Sequence, residues 1–287
     1  MSGAWAGQLL RRPAGLFGTI VLVLLVSTAI ASSFWTPQDP FATDPFHQWL
    51  PPSPAHPFGT DAVGRDLFSY VLAGSRTTVL VALLASLVAA VVGIVLAALG
   101  SLGPRWVREP VAVLIDILIA FPVLLIAIML TAVFGSSLAE VVVAVGIGFG
   151  VNIARVSRGE IRRVARTGYV LAARAAGLGP ARTLVDHVLP NIGPVFIVQL
   201  SLGAGVAVLS EAGLSFLGYG ASPSTPSWGR LLSVLQNYVT VYPLTALWPG
   251  LAITVTVLAF NLFGDALREA TDPRLRSSTR RRRELVR

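Results

Sequence analysis

The sequence predicts an all-α polytopic membrane protein, and three of its properties support that prediction. Hydrophobic residues make up 54% of the 287 residues and charged residues only 13%, whereas soluble domains carry about a quarter charged residues. Charge-free stretches recur along the chain, and about 20 apolar residues cross the ~30 Å hydrocarbon layer as a helix. Arginines gather in alternate connections between these stretches. We therefore expect six transmembrane helices of one bundle, with both termini in the cytoplasm.

The charge-free stretches place the six helices. They cover residues 14–34, 78–102, 112–134, 138–154, 191–215 and 244–265. The first stretch is too long for a signal-peptide core and lacks a small-residue cleavage site, so we expect it to be an uncleaved span. The fourth is short, because Glu140 and Arg155 bound it, and the third contains Asp116. An arrangement of five helices therefore stays open at this stage.

Arginine placement supports the six-helix topology. All 22 basic residues are arginine, and six spans put 19 of them on the cytoplasmic side, all except Arg65, Arg76 and Arg230. Basic residues in short connections stay on the cytoplasmic side of a membrane. A five-helix topology would place one heavily basic segment on the wrong side.

Composition also excludes several kinds of site. The chain has no cysteine and no lysine, and its three histidines lack the spacing of a metal site. A thiolate metal site, a P-loop lysine and Schiff-base chemistry are therefore impossible. We assign no catalytic residue, no metal and no cofactor to this chain, so any ATP and Mg²⁺ would bind to other subunits.

The connections divide the chain further. Residues 1–13 form a cytoplasmic segment, residues 35–77 an external loop, residues 78–267 the core with a cytoplasmic loop at 155–190, and residues 268–287 a basic cytoplasmic tail. In the external loop, Thr60 and Asp61 can cap a short helix with apolar residues at i, i+4 spacing. We expect that helix to lie at the membrane interface.

The cytoplasmic loop is too long for a simple connector and too basic to enter lipid. Arg155, Arg158, Arg162 and Arg166 share one helical face. The following Ala-rich segment favours a helix, and residues 177–180, Gly-Leu-Gly-Pro, end that helix and start another. The loop is therefore expected to present a helix, a sharp turn and a second short helix.

A second shaped segment lies outside, between the fifth and sixth spans. Residues 211–232 contain four glycines and two prolines and include a Ser-Trp-Gly sequence at 227–229. Glycine and proline at this density favour tight turns rather than regular structure. Its position at the mouth of the bundle makes this segment a candidate gate.

Four motifs in this order resemble the permeases of binding-protein-dependent ABC importers of the dipeptide/oligopeptide type, specifically the C-type partner. They are Gly59-Thr60-Asp61 with residues 64–66 and 74–76, residues 169–191 (YVLAARAAGLGPARTLVDHVLPN), residues 211–220 with 227–229, and residues 260–275 ending in Asp-Pro-Arg-Leu. The resemblance covers about residues 11–275. Leu171 stands where the family's coupling loop usually has Glu, and His187 where it has Ile.

The resemblance implies a heterodimer with a second homologous permease, two ATPase subunits or domains, and an extracytoplasmic substrate-binding protein in a bacterial inner membrane. It implies no partnership with nucleic acid. The ATPase-coupling residues would be Ala172, Ala173, Arg174, Ala176, Gly177, Leu178, Gly179, Arg182, Leu189 and Pro190. The external gate would comprise Glu211, Leu214, Ser215, Phe216, Leu217, Gly218, Trp228 and Gly229. Residues 177–185 would insert into a groove of the ATPase.

Several residues also have plainer interpretations. Asp116 is expected near the inner end of its helix, solvated or paired with Arg105 or Arg108, and Glu211 is expected to pair with Arg230 or Arg76. Glycines of the fourth and fifth spans are expected to allow close helix packing rather than bending. The arginine run at 280–283 is expected to touch anionic lipid or solvent.

The implied function is import of small peptides, with other functions open. The same architecture also serves nickel chelates, haem or other small solutes. An ATP-independent secondary transporter would show inverted repeats and charges at the membrane midplane, and neither is evident. A membrane enzyme would need a cluster of His, Cys, Asp or Glu at one interface, which the sequence does not contain.

Overall fold

The computed structural model describes Gly7 and residues 9–271 of the chain, and the described residues are predominantly helical. The helices are α1 (Pro13–Phe34), α2 (Leu67–Leu102), α3 (Arg105–Ile119), α4 (Val123–Phe134), α5 (Leu138–Ala165), α6 (Gly168–Ala175), α7 (Pro180–Thr183), α8 (Leu189–Phe216), α9 (Trp228–Leu235) and α10 (Pro243–Thr271). A π-helical turn, Leu184–Val188, joins α7 to α8. Residues 272–287, including the predicted lipid-contacting arginine run and the end of the fourth motif, lie outside the described part.

Within the described residues, five helical segments are long and apolar enough to cross a membrane, namely α1, α2, α5, the continuous stretch Pro180–Phe216, and α10. The pair α3 and α4 makes a sixth crossing if the two helices count as one bent span. The all-α polytopic fold is therefore confirmed. The predicted continuous third span over 112–134 is wrong, because α3 and α4 meet at an angle of 86°.

The chemistry of proline explains that break. Pro122 has no N–H to donate to the carbonyl four residues earlier, and it disfavours the helical conformation of the residue before it. Pro122 instead serves as the N-cap of α4. The fourth span is also longer than predicted, because α5 continues from the apolar stretch to Ala165.

The connections collect at two ends of the bundle. The arginine end holds residues 102–108 and 162–190, where the Arg162 guanidinium donates to the Gly100 carbonyl. The loop end holds residues 35–66 and 217–242, where the Thr77 hydroxyl donates to the Pro226 carbonyl over 2.6 Å. At the start of α1, Arg12 forms an ion pair with Glu269 near the end of α10.

Small residues bring the core helices together, as predicted. A side chain added at Gly146 would meet Val88 of α2 at 2.6 Å, and one added at Gly150 would meet Val92 at 2.8 Å. On the neighbouring face of α5, a side chain at Gly148 would meet Val123 of α4 at 2.5 Å. These glycines therefore serve close helix packing, which in membranes relies on van der Waals contact between closely approaching backbones.

The predicted interfacial helix capped by Thr60 and Asp61 is wrong. Helix α2 begins at Leu67, and its N-cap is Asp66, whose side chain accepts from the Ser69 N–H over 2.8 Å. Asp61 instead closes a turn, since its carboxylate accepts the Arg65 N–H and pairs with the Arg65 side chain. The apolar spacing that suggested a separate helix belongs to the first turns of a single 36-residue helix.

Aromatic stacking holds the long loop of residues 35–66 on the bundle. Trp49 stacks on Tyr242 with ring centroids 4.2 Å apart, and Phe58 stacks on Trp248 at 4.1 Å. The His56 ring lies 3.0 Å from the buried Asp66 carboxylate. The loop is thus a packed lid over the loop-end termini of α2 and α10.

Candidate coupling surface and external loop

The candidate coupling segment turns sharply at Gly177. The Gly177 N–H donates to the Arg174 carbonyl over 3.0 Å, and the Leu178 N–H donates to the Ala173 carbonyl over 3.2 Å. These two bonds form a Schellman motif, which needs a left-handed residue after the helix. Gly177 supplies it with a φ of +93°, a conformation that L side chains rarely adopt.

A second short helix follows at once. Gly179 is the N-cap of α7 and Pro180 occupies the first turn, where a missing N–H costs nothing. The buried Thr183 hydroxyl donates back to the Gly179 carbonyl over 2.9 Å. The helix–turn–helix predicted for this segment is therefore present.

The segment displays its predicted coupling residues on the surface. Ala172, Arg174, Ala176, Gly177, Gly179, Arg182 and Pro190 are exposed, and Ala173, Leu178 and Leu189 are partly buried. Leu171, at the start of this segment, is 52% exposed. We call the surface formed by residues 171–182 the coupling platform.

An apolar cluster joins the coupling platform to the bundle. Val170 of α6 and Val188 of the π turn are fully buried beside Ile115 of α3, Ala97 of α2 and Ile161 of α5. Because packed interiors are dense and resist compression, a displacement of the platform is transmitted to all the helices in this cluster. The platform is therefore packed directly onto the core helices.

The four arginines predicted to share one face of α5 have different environments. Arg158 lies against Gly100 at the end of α2, and Arg162 donates to the Gly100 carbonyl. Arg155 and Arg166 are exposed. Arg162 thus links α5 to α2 by a hydrogen bond, whereas the Arg158 Nε is buried against α2 without a hydrogen-bond partner among the described residues.

At the loop end, a buried carboxyl group organises the candidate gate. Glu211 is 1% exposed, and one of its oxygens accepts from the Ser215 hydroxyl over 2.7 Å and from the Ser227 hydroxyl over 2.8 Å. The expected partners are wrong: Arg230 donates to the Ala221 carbonyl, and Arg76 donates to the Ser32 hydroxyl. Glu211 therefore ties the end of α8 to the start of α9 through hydroxyl groups.

The end of α8 repeats the turn chemistry of the coupling platform. The Tyr219 N–H donates to the Leu214 carbonyl and the Gly218 N–H to the Ser215 carbonyl, with Gly218 at φ +88°. Leu214 and Ser215 are buried, Phe216 is partly buried, and Leu217 is 60% exposed. This second Schellman motif redirects the chain across the mouth of the bundle.

Helix α9 packs on α8 and α2 at very close range. The Trp228 ring donates its N–H to the Val71 carbonyl over 2.8 Å and lies against Gly74. Gly229 touches the backbone of Ala212, leaving no space for a side chain. The predicted gate residues are therefore brought together in one packed cap over α8.

The family model for the inner membrane component of binding-protein-dependent transport systems matches residues 89–277, more than half of the chain. The chain belongs to this family. It is a multi-pass permease of the bacterial inner membrane, and similarity to dipeptide, glutathione and peptide permeases shows that it is of the dipeptide/oligopeptide ABC type.

Full-length relatives agree with the family model. The permease is 34% identical to the dipeptide transport system permease protein of Alkalihalophilus pseudofirmus over 94% of this chain and 89% of that protein. It is 36% identical to the glutathione transport system permease protein of Pectobacterium atrosepticum, over 94% of this chain and 90% of that protein. It is 34% identical to the nickel transport system permease protein of Escherichia coli K12, over 89% of this chain and 92% of that protein.

Asp116 of the permease is exposed near the end of α3. Arg105, one of its two expected partners, pairs with Glu109 instead. Among the described residues, no group of three His, Cys, Asp or Glu side chains lies close enough together to hold a metal ion. The two external histidines face Asp44 and Asp66 singly.

Sequence reasoning missed the residues that hold the cap on α2. Thr77 and Gly74 contact the segment around Trp228 from a position some 150 residues earlier in the chain. Gly74 belongs to one of the recognised motifs, and a glycine within a long apolar helix is a signal for close approach of another backbone or ring. Nothing in the periodicity of α2 identifies its distant partner.

Proposed function

We propose that this permease forms half of the translocation pathway for small peptides in an ATP-driven importer. An extracytoplasmic binding protein delivers the peptide to the loop end, and two ATPase subunits or domains hydrolyse ATP at the arginine end. A second, homologous permease completes the pathway. The observation that carries this proposal is the exposed coupling platform, a surface shaped by the Gly177 turn and packed onto the core helices.

Charge supports this orientation. The arginine end carries most of the basic residues of the connections, and such residues stay in the cytoplasm. The coupling platform would then face the compartment that contains ATP. The cap around Glu211 would face outward, where a binding protein releases its ligand.

The mechanism follows from the continuity of the platform with the core. Closure of the ATPase dimer displaces the coupling platform, and the cluster around Val170 and Ile115 passes that displacement to α2, α3, α5 and α8. Two packed arrangements of the core would alternate the pathway between inward and outward access. This chain undergoes the conformational change, and the ATPase subunits hydrolyse the ATP.

Peptide is the proposed substrate because two of the relatives are named for a dipeptide and for glutathione, which is itself a tripeptide. The similarity to a nickel permease makes nickel the principal rival. Haem is a further rival within the same architecture. The permease forms the translocation pathway, while the binding protein determines most of the substrate selectivity.

Uptake by cells tests the proposal. Cells with the complete system and cells lacking only this chain are compared for ATP-dependent uptake of a labelled dipeptide, glutathione, nickel and haem. We expect dipeptide uptake to be lost without the chain. Unchanged dipeptide uptake with loss of nickel uptake would contradict the peptide assignment, and unchanged uptake of all four would contradict the transport proposal for these solutes.

A further inference from the structure

The break between α3 and α4 leaves backbone polar groups unpaired. In the described part of the chain, the carbonyls of residues 119–121 accept no backbone hydrogen bond, and the N–H groups of residues 123 and 124 donate none. Ala120, Phe121 and Pro122 are exposed on the surface of this chain, Phe121 by 52%. The break therefore presents several hydrogen-bonding groups to whatever lies beside it.

The depth of the break follows from its contact with α5. Val123, the first residue of α4, packs against Gly148. Gly148 lies eight residues after Glu140 and seven before Arg155, which is the middle of the charge-free part of α5. At 1.5 Å per residue, that position is roughly 11 Å from either charged residue. The break thus lies near the midplane of the apolar layer.

Lipid cannot cover such a break. An unpaired backbone group is strongly unfavourable in hydrocarbon, and irregular backbone at membrane depth occurs only where protein buries it or water reaches it. The helix pair shows no compensating contact on its exposed side within the described residues. The neighbour of this surface is therefore either protein that buries these groups or water.

Two polar side chains extend the same surface. The Asp116 carboxylate is exposed one turn before Ala120 on α3, and it lies close enough to Arg158 of α5 for their charges to interact. The Asn152 side chain is exposed one turn after Gly148, on the face of α5 that meets the break. Its NH₂ group donates to the Gly148 carbonyl over 3.0 Å, which leaves its carbonyl oxygen as an acceptor. A carboxylate, a carboxamide and free carbonyls suit water and a hydrated solute better than the apolar surface of another helix.

We propose that the break at residues 119–122 lines the water-filled pathway and that its carbonyls, with Asp116, accept hydrogen bonds from N–H or ammonium groups of the passing solute. This inference rests on the proposed transport function. It favours solutes with a positive or N–H-rich group, such as the amino terminus of a peptide, over anions. Asp116 is then a pathway residue on the arginine-end side of the break.

Cysteine accessibility tests the inference, because the chain contains no cysteine. Ala120→Cys is compared with Val23→Cys, which lies midway along α1 on an exposed apolar face. Both variants are assembled with the other subunits in membranes and treated with a small, charged, thiol-specific methanethiosulfonate. The extent of labelling is measured on this chain after it is separated from the other subunits. Denatured samples serve as the control that each cysteine can react.

We expect Ala120→Cys to react at least about tenfold faster than Val23→Cys, because the reactive thiolate forms in water and not in hydrocarbon. A transported dipeptide should slow that reaction. Equal, slow reaction of both variants, with and without ATP, would overturn the inference. Fast labelling that no tested solute slows would overturn the contact with solute.

The labelling needs no transport, so its outcome is separable from the proposed function. A reactive Ala120→Cys in a system that imports no dipeptide would refute the substrate and not the location of the break. An unreactive Ala120→Cys in a system that does import dipeptide would refute the location alone.

Discussion

Single residues at the loop end set how closely the helices approach. Gly229 of α9 lies on the backbone of Ala212 in α8, so that even one methyl group has no space. Gly213, the next residue of α8, has no neighbouring atom within 4 Å of an added side-chain carbon. Of these two neighbouring glycines, Gly213 has space for a side chain and Gly229 does not.

Gly229→Ala should destabilise the permease by about 1–3 kcal/mol, because overpacking forces backbone shifts. Gly213→Ala is the matched control and should be neutral or slightly stabilising, since alanine favours helix. Thermal unfolding of the purified assembly measures both. Equal melting temperatures for the two variants would contradict the close packing of α9 on α8.

Glu211 is the second residue whose role is testable alone. Removing its side chain in Glu211→Ala leaves the buried hydroxyls of Ser215 and Ser227 without an acceptor, at a cost of about 1–3 kcal/mol. Glu211→Gln keeps a carbonyl oxygen in place and should retain most of the stability. If Gln destabilised as much as Ala in the same unfolding assay, the hydroxyl network would not be the reason for Glu211.

Among the elements, the coupling platform depends on one left-handed turn. Gly177→Val should distort it, because a β-branched residue at positive φ is strongly disfavoured. Gly179→Ala is the control two residues away, since Gly179 has a φ of −67° and open space around it. We expect the first variant to lose ATPase association and uptake and the second to keep both.

The size of the Gly177→Val effect follows from the cost of a left-handed residue. That cost is about 1–2 kcal/mol for an ordinary side chain, which corresponds to a shift of roughly 5–30-fold in the population of the correct turn. Recovery of the ATPase subunits with purified permease measures association. Normal association and normal uptake of Gly177→Val would contradict the role of the platform.

The elements also show how far the sequence can be read. The coupling turn was predictable, because glycine after an Ala-rich helix and proline at the next start are local signals. The start of α2 was misplaced by reading Thr60 and Asp61 as the cap, since several Asp and Thr residues precede that helix and only the fold selects Asp66. Proline at 122 signalled a break that hydropathy alone hides.

Local sequence patterns do not predict the contacts between distant elements. Glu211 was assigned to an arginine on charge alone, yet Ser215 and Ser227 satisfy it in the interior. Serine hydroxyls carry no long-range electrostatic signal, so only the packing of α9 on α8 reveals them. The same holds for Thr77 and Pro226, which are 149 residues apart.

At the scale of the whole molecule, the two ends of the bundle have different proposed functions. The arginine end carries the coupling platform, and the loop end carries the cap around Glu211 and the aromatic lid. The absence of cysteine from the chain allows each end to be tagged without altering a native thiol. Ala176 and Leu217 are exposed residues of the two Schellman turns and serve as matched positions.

Photo-crosslinking from these two positions tests whether the arginine end, and not the loop end, contacts the ATPase. Ala176→Cys and Leu217→Cys are each labelled with a photoreactive maleimide in the assembled transporter and irradiated. We expect the residue 176 probe to crosslink to an ATPase subunit and the residue 217 probe not to do so. Crosslinking of the ATPase from residue 217, or its absence from residue 176 in an intact assembly, would contradict the account.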